Sequence, residues 1–400
     1  MSLPEFRLKP GKESRLVRGY AWAFRNEIDF QQKDAGGGAW VRLLSAKGRP
    51  LGTGFLNSAS NLCFRLIAPH GSFALDADAD EVLRTRLAQA YALRGPRVPG
   101  EARRLVNGEG DWLSGLVVDD FNGVLVLQLH SAGMEKHRAL IEEVLKTLPG
   151  TKALVERSDD GFRQKELLPP IKGLRFSAAL DEDFLERVPF VEDGRQYTAD
   201  VLGGLKTGFF LDQRAARTTV QGLAKGKRCL DLFSHSGGFS VAAALGGATE
   251  VLALDQSADA LKLAQGHARL NKVEGLLRLE EADVFVRLRE LEKAGERFGL
   301  IILDPPALAK DGEAVGGALR GYKELNLRAL RLLEPGGLLL SCSCTQVVSE
   351  EQFRNEVQSA AADAPATLRE LARLGAGMDH PSLLGMPETH YLKCLLLQKD

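Results

Sequence analysis

From about residue 196 onward, short apolar runs alternate with stretches of helical period. Runs at 228–233, 250–254, 277–280, 300–303 and 338–341 predict strands, and the stretches between them, such as 258–271 and 322–333, predict helices. Alternation of this kind implies a doubly wound, mostly parallel α/β sheet covered by helices on both faces. The pattern upstream differs. Residues 1–75 carry short β-rich runs, such as Trp40-Val41-Arg42-Leu43-Leu44 and Leu62-Cys63-Phe64-Arg65-Leu66-Ile67, broken by Gly and Pro, and predict a small β-barrel. Residues 76–93 are helical in period, with Val82, Leu83, Leu87, Ala90 and Tyr91 on one face. Strands over 115–119 and 124–129 are joined through Asn122-Gly123, a strong hairpin signal. A helix over 134–148 and an apolar run at Ala153-Leu154-Val155 follow, and 160–195, with Pro169-Pro170 and Asp181-Glu182-Asp183, reads as a connector. The expected domains are therefore 1–75, an α+β middle domain with its linker at 76–190, and an α/β domain at 191–400.

Composition narrows the class. The 400 residues exceed one ordinary domain, and 44% hydrophobic with 26% charged content fits a globular protein with real cores. No apolar run approaches the roughly 18 residues of a membrane span. Met1-Ser2-Leu3-Pro4-Glu5 has no basic stretch leading into an apolar one, so no secretory signal is expected. Five cysteines, sparse and odd in number, fit a reducing cytoplasm better than a disulfide scaffold. The seven histidines share no zinc spacing with them, and no metal site is expected.

A net charge of −1 hides a local bias. Arg7, Lys9, Lys12, Arg15, Arg18 and Arg25 face only Glu5 and Glu13 in the first 25 residues, with Tyr20, Trp22 and Phe24 alternating among them. Two readings stand: a solvated basic segment over a small aromatic core, or an RNA-facing module whose cations meet phosphate and whose rings stack on bases.

Chemistry gathers at the carboxyl ends of strands in an open α/β sheet. The first strand of the α/β region holds Asp231 and turns through Ser234-His235-Ser236-Gly237-Gly238, small residues that let a ligand approach the backbone and a helix N-terminus. The turn departs from G-x-G-x-x-G, which weakens the case for a dinucleotide. The second strand ends at Asp255, 24 positions after Asp231, a spacing that suits a carboxylate accepting ribose hydroxyls. The competing role is an N-cap for the helix near Ala258. Asp283 follows the third strand, placed to meet an adenine amino group, and Asp304-Pro305-Pro306 ends the fourth. Four such features on successive strands resemble the class I S-adenosylmethionine-dependent methyltransferases. That resemblance implies a cofactor site drawn from Gln213, Arg214, Asp231, Ser234, Gly237, Asp255, Gln256, Asp283, Val284 and Asp304. Ahead of the first strand, Lys206-Thr207-Gly208-Phe209-Phe210-Leu211-Asp212-Gln213-Arg214 reads as a lid over the methionine end of the ligand, the alternative being a hairpin with a helix cap.

Asp304-Pro305-Pro306 is followed by Ala307, where many amino-methyltransferases carry an aromatic that stacks on the target base. The fifth strand runs into Ser341-Cys342-Ser343-Cys344, and a thiol there is either a nucleophile or an ordinary buried cysteine. Taken with Arg320-Gly321-Tyr322-Lys323-Glu324-Leu325-Asn326, Asp379-His380-Pro381 and Tyr391-Leu392-Lys393, these motifs resemble the RlmI family of bacterial 23S rRNA cytosine-5 methyltransferases, over nearly the whole chain. The resemblance implies a PUA domain, a small EEHEE domain and a Rossmann-like catalytic domain, with homodimers common and a cytoplasmic site of action. It assigns Cys344 as nucleophile and Asp304 as the residue that holds the cytosine N3/N4 edge. Cys342 falls where the family usually has an apolar residue. A second cysteine found after the fourth-strand motif of other RNA cytosine-5 methyltransferases is replaced by Ala307, so the base for the elimination step is open among water, Asp304 and Cys342. Contacts to 23S rRNA are expected from Lys9, Lys12, Arg15, Arg18 and Lys206. The rival readings are an RNA guanine or amino methyltransferase on the same scaffold, and an RNA-binding assembly factor with a vestigial cofactor site.

Overall fold

The computed structural model describes residues 3–30, 36–96, 98, 100–178 and 180–400. Residues 1 and 2, the start of the segment read for a leader, lie outside them. The chain divides into two compact units: Met1–Phe190 with Thr198–Leu211 and Met378–Thr389, and Val191–Tyr197 with Asp212–Gly377 and His390–Asp400. No helix among the described residues is long and apolar enough to cross a membrane.

The first unit contains two sheets. In the six-stranded one, Trp22–Ala23, Phe64–Pro69, Pro50–Leu56, Ala39–Leu44, Glu5–Leu8 and Ile28–Asp29 lie in that order around Phe6, Leu8, Val41, Leu43, Leu56, Phe64 and Leu66. Glycine is required where the strands close: a Cβ on Gly54 would lie 2.1 Å from the Arg65 carbonyl oxygen. The helix Ala79–Leu93, capped by Asp78, buries Val82, Leu83, Leu87 and Ala90. The five-stranded sheet has the order Ile171–Ser177, Ala153–Ser158, Val124–Leu129, Leu116–Phe121, Ala102–Asn107. Asn122 (φ 52°) and Gly123 (φ 95°) make the expected hairpin turn. Two outer strands escaped the pattern. Ala102–Asn107 carries Arg103, Arg104 and Asn107, and Ile171–Ser177, inside the expected connector, is a half-exposed edge. The helix expected over 134–148 is broken at His137 into Ala132–Lys136 and Arg138–Thr147.

The segment Met378–Thr389 completes this unit. Tyr20 Oη donates to Glu388 (2.7 Å), the Arg104 backbone N–H to the Asp379 carboxylate (2.9 Å), Arg94 to the Asp379 carbonyl (2.8 Å) and Asn107 to the Pro381 carbonyl (2.9 Å).

The second unit is the α/β domain. Its strands are β1 (Arg228–Leu232), β2 (Glu250–Asp255), β3 (Leu277–Glu281), β4 (Phe298–Leu303), β5 (Leu333–Ser343), β6 (Leu368–Leu374) and β7 (Lys393–Lys399), in the sheet order 3-2-1-4-5-7-6. β1–β5 are parallel, and β7 is antiparallel to both neighbours. Helices α1 (Arg214–Leu223), α2 (Gly238–Leu245) and α3 (Ala258–Leu270) cover one face. The other is covered by α4 (Val284–Lys293), α5 (Val315–Leu332) and α6 (Glu350–Asp363). Ile301, at the middle of β4, is fully buried in the second core. Ile301→Ala is expected to cost about 2–5 kcal/mol, read as a fall in the urea midpoint at unchanged slope.

Candidate active site at the carboxyl ends of the strands

β1 delivers Asp231 fully buried; Ser240 Oγ donates to its Oδ2 at 2.5 Å, and Oδ1 has no hydrogen-bond partner among the described residues. Burial, and repulsion from Asp304 and Asp255, push this carboxyl up to about 7. The turn after β1 is strained: Phe233, His235 and Gly237 all have positive φ, at 63°, 47° and 73°. Its backbone is held by Ser234 N–H to the Leu254 carbonyl (2.9 Å), His235 N–H to Asp255 Oδ2 (2.8 Å), and His267 Nδ1 against the Ser236 carbonyl (2.8 Å). Ser234 Oγ is buried without a hydrogen-bond partner among the described residues. Gly237 has a packing reason as well, because a Cβ there would lie 2.8 Å from that of Ala264 on α3.

Asp255 is half-buried and also accepts from the Ser257 backbone N–H at 2.9 Å. The cap of α3 is Ser257, so the competing role considered for Asp255 belongs to its neighbour. Gln256 is exposed and Val284 buried. Asp283 is exposed and caps α4, accepting from the Val286 N–H at 3.0 Å, a helix-terminal role the sequence reading did not assign. Gln213 is buried with its Oε1 3.7 Å from Cys394 Sγ, and the Arg214 guanidinium is bonded to Asp193 at 2.9–3.0 Å. The cluster read as one lid is divided: Lys206 and Thr207 belong to the first unit, Gln213 and Arg214 to the second.

β4 ends in Asp304, half-buried beside the end of β5. Leu308 N–H donates to Thr345 Oγ1 at 3.1 Å, which fixes the Asp304-Pro305-Pro306 turn to the residue after Cys344. Thr345 Oγ1 also meets Tyr322 Oη on α5 (2.7 Å), which accepts from Ser343 Oγ (2.9 Å). Cys344 is half-buried, its Sγ 3.9 Å from the Pro305 carbonyl oxygen. Cys342 is fully buried opposite Cys394 on β7; burial first, and that neighbour next, push its thiol well above the usual range. The two thiols that the sequence presents one residue apart are thus unlike. Lys393, fully drawn in, donates to the carbonyls of Thr345 (2.7 Å) and Val348 (2.8 Å). Neither it nor Tyr322 and Thr345 was singled out individually from the sequence, where only the short motifs holding Tyr322 and Lys393 gave a signal.

Among the residues expected to meet RNA, Lys9, Lys12 and Arg18 are exposed on the first unit. Arg15 is committed to Glu27 by two bonds of 2.6 and 2.8 Å and lies over the Tyr20 ring. Tyr20 is buried, and Trp22 donates to Glu109 at 3.0 Å, so these two rings serve the aromatic core. Lys206 (φ 51°) holds its ammonium 4.3 Å from the Phe210 ring centre.

Residues 103–397 match the model of a family described as S-adenosylmethionine-dependent methyltransferases, and residues 6–69 match that of a PUA-like domain. The ribosomal RNA large subunit methyltransferase I of Tolumonas auensis is 38% identical over 397 residues, covering 98% of each chain. Its counterpart from Shewanella denitrificans is 36% identical with the same coverage. A Streptococcus mutans structure assigned as a SAM-dependent methyltransferase superposes with a TM-score of 0.82 over 99% of this chain and all of that one, at 21% identity, a likeness of fold. S-adenosylmethionine fits the residues present: among the described residues Asp231 Oδ1 and Ser234 Oγ are orphaned buried polar atoms, and Asp304 and Asp255, whose charges act on Asp231, suit a cationic ligand.

The raised carboxyl of Asp231 has a consequence for stability. Between its unfolded value near 3.8 and its folded value near 7 the native state holds the extra proton, so its contribution is full below about 4 and is lost as pH rises through 7. Asp231→Asn is expected to remove this slope: the stability of the unmodified protein relative to the variant should fall by up to roughly 4 kcal/mol from pH 4 to pH 8, read by urea denaturation.

Proposed function

The chain belongs to the ribosomal RNA large subunit methyltransferase I family, within the S-adenosylmethionine-dependent methyltransferases, and from that premise we propose that it methylates carbon 5 of a cytosine in 23S rRNA through a bond between Cys344 Sγ and carbon 6. One observation carries the reading. Of the five cysteines, all among the described residues, Cys344 alone is not buried, and it stands at the end of β5 beside Asp304 at the end of β4.

Carbon 5 of a pyrimidine is a poor nucleophile until a thiolate adds to carbon 6 and makes it enamine-like. Cys344 supplies the thiolate. Asp304 holds the N3/N4 edge and assists protonation of N3 as the Sγ–C6 bond forms. S-adenosylmethionine supplies the electrophilic methyl group when bound. Asp231, Ser234 and Asp255 are the residues proposed to hold it, Asp255 through the ribose, with Asp283 and Val284 at the adenine end. After transfer, a base removes the carbon-5 proton and Cys344 departs. Cys342 is ill suited to that step because burial keeps its thiol protonated, which leaves Asp304 and water.

RNA docking is assigned to the PUA-like segment through exposed Lys9, Lys12 and Arg18. Arg15, tied to Glu27, is better suited to shaping that surface than to contacting phosphate. The proposal retains the domain division at 75 and 190, a cytoplasmic site of action and a homodimer.

Cys344→Ala is expected to lower methyl transfer to 23S rRNA by a factor on the order of 10³ or more, measured by mass spectrometry of the methylated nucleoside. Unchanged transfer, or a product methylated on an exocyclic amine or a guanine, would sink the covalent mechanism. Asp304→Asn should cost about 10²–10⁴-fold in rate, scored in the same assay.

A further inference from the structure

Lys393 opens β7 directly opposite Ser343 in the antiparallel ladder with β5. It is 6% exposed, and its ammonium donates to the carbonyl oxygens of Thr345 (2.7 Å) and Val348 (2.8 Å). Cys344 therefore lies between a residue paired with the lysine backbone and a residue held by the lysine head. Among the described residues no carboxylate lies within ion-pair distance of this ammonium. A buried cation without a paired anion costs several kcal/mol unless neighbouring dipoles or a developing charge compensate it. Two carbonyls compensate in part. A neutral donor such as glutamine could bridge them without that cost, so a purely mechanical role leaves the charge unexplained.

The groups facing this corner come from every element packed on it. β5 contributes the Cys342 and Cys344 thiols and β7 the Cys394 thiol. The turn after β4 contributes Asp304, and α5 contributes Tyr322, whose phenol burial holds neutral. α6 contributes Glu350, which is ion-paired on the surface with Arg373 at 3.1 Å. The cation in this set is Lys393.

We propose that Lys393 is the positioning residue of the nucleophile: its ammonium fixes the turn that follows Cys344 and supplies the positive charge against which the thiol ionises. The inference rests on the reading of Cys344 as nucleophile. Burial pushes Lys393 down to about 8, with the Cys344 charge acting in the opposite direction. The lysine is then charged at neutral pH, where the thiolate needs a counter-charge, and the support fades above about 8.

The test is the pH dependence of Cys344 alkylation by iodoacetamide, resolved at the Cys344 peptide by mass spectrometry on the full chain without RNA. In the unmodified protein the midpoint should fall about one unit or more below the ordinary thiol value of about 8.5. Lys393→Met should raise it by about one unit and slow alkylation at pH 7 about tenfold, and Lys393→Arg should restore the profile. A midpoint at or above 8.5 in the unmodified protein overturns the proposal whatever becomes of the variants. An unchanged profile in folded Lys393→Met, verified by circular dichroism, overturns it as well. Normal RNA methylation by Cys344→Ala overturns the role of the nucleophile and with it Lys393's place in catalysis. That failure is read in a different assay from the alkylation profile, so the two are separable.

Discussion

A strand sends successive side chains to opposite faces, and at the end of β5 that rule separates three hydroxyls from two thiols. Ser341 bonds Asn326 (2.7 Å), Ser343 bonds Tyr322, and Thr345 bonds Tyr322 and the Leu308 backbone, so the odd positions lock onto α5 and the β4 turn. The even positions, Cys342 and Cys344, are left to the α1–α3 face. A one-residue slip would put a hydroxyl where the thiol stands. The buried polar ladder excludes that slip, since each displaced hydroxyl would lose its partner in a dry interior.

Of the five parallel strands, β1, β2, β4 and β5 were legible as apolar runs buried on both sides, whereas the edge strand β3, Leu277–Glu281, is only partly buried and was legible from its place in the alternation. The Asn122-Gly123 hairpin was legible because its turn chemistry is local. β6 and β7 were not. β6 is mostly exposed and carries Arg369, Glu370 and Arg373 in no period-2 pattern, and β7 gains its identity from pairing with β5, fifty or so residues upstream in the chain. The same distinction holds at the site. Asp231, Asp255 and Asp304 announced themselves by strand-end position. The contacts of Arg15, Gln213 and Arg214 with Glu27, Cys394 and Asp193 were not legible, because they are tertiary and no spacing reveals them. Gly237 has a second reason that its turn does not reveal, since α3 packs where its Cβ would stand.

Opposite charges are sorted along the strand ends. Carboxylates collect at β1, β2 and β4, where burial first, and the charges of Asp304 and Asp255 next, raise the carboxyl of Asp231. The cation stands across β5, behind Cys344. Negative potential over the central strands thus favours a cationic methyl donor, while positive potential behind β5 favours an anionic sulfur. A single sheet can serve both because the groups are fixed on separate strands.

The first unit is assembled from pieces far apart in the chain, and this bears on how the protein is made. Tyr20 and its acceptor Glu388 are separated by 368 positions. At about 5–20 residues per second on the ribosome, the tyrosine waits roughly 20–75 s for its partner. During that interval nearly all of β1–β6 has emerged, so the amino-terminal sheets are the first to be synthesised and among the last to be closed. Arg94, Arg104 and Asn107 also bond to Asp379 and Pro381, a seam that only the final stretch of translation can complete.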